Sequence, residues 1–277
     1  MAELVGCFAA SHGPLLVRDW AGIPQSEKTR LTAAFRELGR RLDAARPDVI
    51  IEVSPDHWVN FHLENIPAVC IGVGETHEGP PEPFLKAYPH REMSGAPDFA
   101  GHLVTTALQA GFEPSFSYRL KLDHGFCIPL WRMELTRLPA IVPMIVNSIE
   151  PPLPTLERCL AWGGLLRSAI ESYPEPLRVA VLASGGLSHS IGEPTMGRID
   201  EAFDHECIRL FSDTDEKALI RYLEDAIPTA GNGSDEVRNW LVAHGAARGR
   251  GFELVDYLPV PRVYVGCGFA SWRTNAL

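Results

Sequence analysis

The 277-residue sequence predicts an α/β fold: a mostly parallel central sheet flanked by helices, with the active site at the carboxyl ends of the strands. Three observations carry that expectation. Short, almost wholly apolar runs alternate with longer stretches in which apolar residues return every three or four positions. The runs are apolar throughout, as strands covered on both faces must be. The composition, 45% hydrophobic and 22% charged, suits a chain that buries a full core.

Taken in order, the first run, Leu4–Ala10, reads as a strand. A helix follows over Ser26–Ala45, opened by Ser26 as cap, with Leu31, Phe35, Leu38 and Leu42 on one face and Pro47 beyond its end. Val49–Val53 and Ala68–Gly72 read as the next strands. The stretch Glu75–Met93, interrupted by Pro80, Pro81, Pro83 and Pro89, is expected to be an irregular loop or lid. Then come a helix over Ala96–Ala110, strands over Pro114–Leu120 and Ala140–Val146, a helix over Leu153–Ser172 and a strand over Val179–Ala183. Helices are expected over Arg198–Phe211, Glu216–Asp225 and Ser234–Ala247. Phe252–Tyr257 and Arg262–Cys267 complete the chain as a hairpin joined through Pro259 and Pro261. No repeat and no Pro/Gly/Ser-rich linker divides the sequence, so residues 1–277 are expected to form a single catalytic domain.

Composition excludes several partners. A net charge of −10 disfavours nucleic acid and anionic membrane, both of which need a basic face. The longest strongly apolar stretches, such as Leu138–Val146, are too short to span a bilayer. Glu3 and the lack of a basic leader make the first run a strand rather than a signal peptide. Six scattered cysteines with no C-x-x-C pattern fit free thiols in a cytoplasmic protein. P-loop, H-E-x-x-H and G-x-S-x-G motifs are absent. Gly266-Cys267-Gly268 lacks a third glycine, and Ser188 has no nucleophile elbow.

The histidines hold the functional information. Four of the ten stand just past a predicted strand: His12 in Ser11-His12-Gly13-Pro14, His57 in Ser54-Pro55-Asp56-His57, His124 in Asp123-His124-Gly125, and His189 at the end of Ser184-Gly185-Gly186-Leu187-Ser188-His189. In an open α/β sheet such positions share one rim, where ligands bind. A single loop histidine is ordinarily a surface or capping residue; four at equivalent places point to function. His102, His205 and His244 fall within helical patterns, and His62, His77 and His90 in or near loops, where structural roles are expected. Glu236 falls in the first turn of a helix capped by Ser234, where it and Asp235 would ordinarily complement the helix dipole.

These pieces resemble the class III (protocatechuate 4,5-dioxygenase-like) extradiol dioxygenases. The matching segments are Ser11-His12-Gly13-Pro14-Leu15, Ser54-Pro55-Asp56-His57, Asp123-His124-Gly125-Phe126 with Pro129-Leu130, Val142 to Asn147, Ser184 to His189, and Ala230-Gly231-Asn232 with Glu236 and Trp240. The resemblance implies a site of Fe(II) held by His12, His57 and Glu236, with His124 as proton donor and His189 as base. It implies O2 and a small aromatic diol as substrates and a muconic semialdehyde-type product. A homo-oligomer is expected, with closure of the site by the chain's own loops or by a small helical partner subunit.

Two imidazoles and one carboxylate on one face of Fe(II) leave the opposite face open, and imidazoles are suited to proton transfer near neutral pH. Two other classes stay open on the sequence: a non-redox metal-binding or signalling relative, and a zinc-dependent hydrolase. Protocatechuate, gallate, dihydroxyphenylpropionate, an aminophenol or a hydroxypyridine all fit. Arg132, Arg262 and Lys86 are candidates for a substrate carboxylate, and Asp56 and Asp123 for orienting an imidazole.

Overall fold

The computed structural model describes residues 1–274. Among the described residues the strands are β1 (Glu3–Ala10), β2 (Val49–Ser54), β3 (Val69–Gly72), β4 (Thr76–Glu78), β5 (Glu92–Ser94), β6 (Ser115–Ser117), β7 (Ala140–Val146), β8 (Arg178–Ser184), β9 (Phe252–Val260) and β10 (Val265–Trp272). The α-helices are α1 (Leu15–Arg18), α2 (Gln25–Ala45), α3 (Pro97–Gln109), α4 (His124–Arg132), α5 (Leu156–Ser172), α6 (Glu201–Ser212), α7 (Glu216–Ala230) and α8 (Val237–Ala246).

Eight strands form one sheet in the order β6-β3-β7-β2-β8-β1-β10-β9, while β4 and β5 pair separately. At its centre β7, β2, β8 and β1 run parallel to one another. β3 is antiparallel to β7, and β10 to both β1 and β9. The expected α/β architecture with a largely parallel sheet is therefore the one observed. Strand alternation feeds two cores. Val179, Val181 and Ala183 of β8 join the core under α3, α5, α6, α7 and α8. Ala180 and Leu182 face the core under α2 and α4, where Leu31, Phe35, Leu38 and Leu42 are buried as their spacing predicts. On the first face α5 and α8 approach backbone to backbone: a Cβ on Gly245 would lie 2.1 Å from the Leu160 carbonyl oxygen.

Several local expectations are corrected. α2 is entered through Pro24, with no side-chain cap, so Ser26 lies within the helix rather than at its start. The stretch Glu75–Met93 contains β4, a 3-10 turn at Pro83–Leu85 and the start of β5. The strand expected over Pro114–Leu120 is only three residues, parallel to β3 and so opposed to the central strands. A return segment carries the chain back past Glu78, which bridges Lys121, and a new helix, α4, begins at His124. α8 begins after Glu236, because Asn232–Glu236 is a 3-10 turn. No helix among the described residues is long and apolar enough to cross a membrane.

Candidate metal centre and active site

Three of the four rim histidines hang from parallel central strands. β1 runs into Ser11-His12; the Ser11 hydroxyl accepts the Gly268 N–H at 2.9 Å and fixes this exit. Past β2, the Asp56 carboxylate accepts the backbone N–H groups of Val59, Asn60 and Phe61 at 2.9–3.1 Å, folding the loop that presents His57. Past β8, Gly185 takes φ +153, and Asp204 of α6 grips Ser188 through its N–H (2.7 Å) and hydroxyl (2.8 Å). That grip sets His189. Gly233 packs flat on the same ring, since a Cβ there would lie 2.1 Å from His189 Nε2. His124 arrives differently, as the first residue of α4, whose cap Asp123 accepts the Gly125 N–H at 2.8 Å.

The five residues singled out by the sequence meet in one place. Glu236 Oε1 lies 3.4 Å from His12 Nε2, 3.7 Å from His57 Nε2 and 3.8 Å from His189 Nε2. Ring nitrogens of His12, His57 and His124 fall within 4.8 Å of one another, and the His57 and His124 ring centroids are 3.9 Å apart. The other Glu236 oxygen accepts the Gly186 N–H at 2.8 Å, which fixes the carboxylate.

Each imidazole is tied by Nδ1 to the protein. His12 Nδ1 meets Ser184 Oγ at 2.9 Å, and because that hydroxyl donates to the Gly125 carbonyl, it must accept from the ring. His57 Nδ1 donates to Asp123 Oδ2 (3.1 Å), which also takes the His57 backbone N–H at 2.8 Å. His124 Nδ1 donates to Glu82 Oε1 at 2.8 Å, and His189 Nδ1 to the Leu187 carbonyl at 3.0 Å. With every Nδ1 carrying the proton, every neutral ring keeps its Nε2 lone pair free.

Electrostatics favour a cation at the convergence point. Burial opposes ionisation of Glu236, yet the charges of His12 and His189 hold it well below the usual carboxylate range. Burial likewise opposes charge on His57, but Asp123 and Glu236 prevail and hold it up at about 10. Asp123 is pulled down by His57 against its own burial. Burial, then His57, pushes His124 down. A divalent ion would take the place of the protons in this balance. The donors suit one: ligands about 2.1 Å from a shared ion stand roughly 3–3.5 Å apart, close to the spacing of Glu236 Oε1 from the His12 and His57 nitrogens.

The five residues open onto a cavity of about 420 Å³ whose other walls include Leu15, Ile149, Met196, Tyr264 and Val265. Arg18 lines it too, exposed and without an ion-pair partner among the described residues. The three basic residues expected to meet a substrate carboxylate lie elsewhere. Arg132 stacks on Trp20 at 4.0 Å and donates to the Leu16 carbonyl, Arg262 pairs with Asp19, and Lys86 is exposed beyond the cavity. Asp123 orients an imidazole as expected, but it is that of His57 rather than of its neighbour His124. Asp56 holds backbone instead. No residue of Glu75–Met93 lines the cavity, so that stretch is no lid over it; it stands behind His124. Sequence reasoning missed Glu82 and Arg18, which carry no motif, and the part played by Ser184, which opens the run to His189 but serves His12. Of the remaining histidines, His244 accepts the Trp272 indole N–H at 3.0 Å and His102 meets the Ala169 carbonyl at 3.0 Å, both away from the site.

Comparison with known proteins gives a consistent picture. A family model described as the catalytic LigB subunit of aromatic ring-opening dioxygenase matches residues 6–266. A 2,3-dihydroxyphenylpropionate/2,3-dihydroxicinnamic acid 1,2-dioxygenase of Photorhabdus laumondii is 25% identical over 87% of this chain and 88% of that protein. One from Burkholderia vietnamiensis is 26% identical over 96% of each. A gallate dioxygenase of Pseudomonas putida is 31% identical over 55% of this chain, which spans 46% of that enzyme. Among solved structures, an uncharacterized protein of Escherichia coli K12 superposes with a TM-score of 0.62 at 17% identity, covering 96% of this chain and 99% of that one, a likeness of fold.

Proposed function

The chain belongs to the family of the catalytic LigB subunit of aromatic ring-opening dioxygenases, and from that premise we propose that it works as one Fe(II)-dependent catalytic domain that opens aromatic diols bearing an acidic side arm. It is an extradiol ring-cleavage dioxygenase. The finer reading assigns His12, His57 and Glu236 as iron ligands, His124 and His189 as the proton-transfer pair, and Arg18 as the partner of the acidic arm.

One observation carries it: four imidazoles are tied outward through Nδ1, three of them leave Nε2 within 3.8 Å of a single buried carboxylate oxygen, and the fourth, His124, lies against His57 on the same cavity. A structural cluster has no use for that uniform choice of nitrogen. Two such atoms with Glu236 make a three-point metal set, and two remain for acid–base work. Bound Fe(II) supplies open positions for the diol oxygens and O2 and a route for electrons between them.

The residues do the rest. His189 Nε2 takes the phenolic proton as the diol binds, since its Nδ1 is already committed to Leu187. His124 delivers a proton from Nε2 during ring opening, passing from the doubly protonated ring to the neutral one whose Nδ1–H stays with Glu82. Leu15, Ile149 and Val265 exclude water from the ring. Arg18 meets a carboxylate as a bidentate donor, in keeping with the acids named for two of the relatives.

The test is anaerobic removal of metal, reloading with Fe(II) or Zn(II), and O2 uptake against diols with and without an acidic arm. The reading predicts uptake with Fe(II) alone, a yellow ring-opened product, and preference for acidic diols that is lost in Arg18→Ala. Absence of uptake with every diol and aminophenol, or hydrolysis supported by Zn(II), contradicts it.

A further inference from the structure

Of the two carboxylates that anchor site imidazoles, Asp123 serves His57 and also caps α4. The second, Glu82, belongs to the proline-rich stretch and carries no motif. We infer that Glu82 is a positioning residue for the ring-opening reaction, holding the His124 Nδ1–H so that Nε2, the atom that carries and gives up the transferred proton, is turned to the diol. The inference rests on the reading of His124 as proton donor.

Geometry carries it. One oxygen, Glu82 Oε1, accepts both the ring Nδ1–H (2.8 Å) and the backbone N–H (2.9 Å) of His124. The side chain and the start of α4 are thereby aimed together, and a ring flip would break the first bond while the second still held Glu82 in place. The other oxygen, Oε2, is buried with no hydrogen-bond partner among the described residues. A buried acceptor left unpaired is destabilising, so a carboxylate set there for packing alone is a poor choice.

Its support is rigid for the same reason. Pro80, Pro81 and Pro83 fix the backbone on both sides, Arg91 donates to the Pro80 carbonyl at 2.9 Å, and Leu85 and Tyr88 are buried beneath. Phe84 approaches the His124 ring from the same stretch, at 6.3 Å between centroids. The run of prolines thus serves as a fixed post behind the proton donor.

The experiment compares Glu82→Leu and Glu82→Gln with the parent in the full chain. Each is loaded with Fe(II), and kcat and KM for an accepted diol are measured with metal content. The nitrogen shifts of the labelled His124 ring report its tautomer. Glutamine can accept both N–H bonds through its carbonyl, so kcat should stay within about threefold. Leucine should lower kcat about 10- to 100-fold while KM moves less than about twofold and metal content stays the same. The neutral His124 ring should be Nδ1–H in the parent and mixed in Glu82→Leu.

An active Glu82→Leu, a neutral ring protonated on Nε2 alone in the parent, or a Glu82→Gln as impaired as leucine overturns the inference. So does a second equivalent of metal lost on substitution, which would assign Glu82, Asp123 and His124, whose ligand atoms lie within 4.8 Å, to a cation instead. If Glu82→Leu fails to fold, the parent's tautomer and the glutamine variant decide. A parent enzyme inactive on all diols removes the functional reading, while the tautomer measurement still stands on its own.

Discussion

Asp235 and Glu236 look alike in the sequence, two acids at the start of a helix, and only one does what such acids ordinarily do. Asp235 pairs with Arg238 one turn on. Glu236 is 2% exposed and turned toward the imidazoles. Nothing in the local pattern separates them; the family resemblance did, because a side chain's direction at a helix start depends on the packing of α8 against the sheet. The histidines were more legible, since each of three follows an apolar run whose end defines the rim. Their anchors were not: Ser184 and Glu82 meet their rings only in space, and the Leu187 carbonyl, two residues before His189, is backbone that any residue would supply. Glu236→Ala should lose Fe(II), whereas His189→Ala should keep it and turn over about 100- to 10,000-fold more slowly, with metal content and kcat as the checks. Asp123→Asn keeps an acceptor for the Gly125 N–H at the α4 cap yet loses the charge behind His57. Fe(II) affinity should fall about 10- to 100-fold with the helix intact; affinity unchanged in an anaerobic titration would separate Asp123 from the metal.

At the level of elements, the central parallel strands and most long helices were read to within a few residues because burial on both faces, or on one face at helical spacing, writes itself into the sequence; α7 runs on to Ala230 rather than ending at Asp225, and the last strand is Val265–Trp272 rather than Arg262–Cys267. The edge at β6 was not read so closely. β6 is three residues long and runs against the central strands, so the route that returns the chain to His124 depends on pairing with Glu78 rather than on any local preference. α4 was missed because it is only nine residues long, carries Pro129 inside it, and is buried without a break from His124 to Leu130. The α5–α8 contact offers a test that links packing to the site. Gly163 and Gly245 let the two helices touch, and a Cβ on Gly245 would strike the Leu160 carbonyl at 2.1 Å. Gly245→Ala should destabilise the protein by about 1–3 kcal/mol by urea unfolding. Because Glu236 caps the far end of α8, it should also weaken Fe(II) binding; a stable variant with full affinity would uncouple the helix from the ligand.

Across the whole molecule, a parallel sheet gathers side chains distant in sequence at one rim, and the helices behind it set the chemistry's background. One consequence lies far from the site. His244 is buried against Trp272, and burial lowers its pKa from 6.5 to about 4. The unfolded chain therefore takes up a proton that the folded chain refuses between those values, so this stability is present above pH 6.5 and is lost as pH falls toward 4. From pH 7 to 5 the loss should be about 2 kcal/mol from this group. In His244→Gln, whose carbonyl can still accept the indole N–H, the acid limb of the unfolding profile should flatten. The central claim is that one metal ion sits among residues delivered by β1, β2 and the head of α8. An anomalous-difference map of crystals soaked anaerobically in Fe(II) tests it most directly. The account predicts a single peak about 2.0–2.2 Å from His12 Nε2, His57 Nε2 and a Glu236 oxygen, with His124 and His189 unbonded. A peak held by Glu82, Asp123 and His124, or one that leaves Glu236 unbonded, would contradict it.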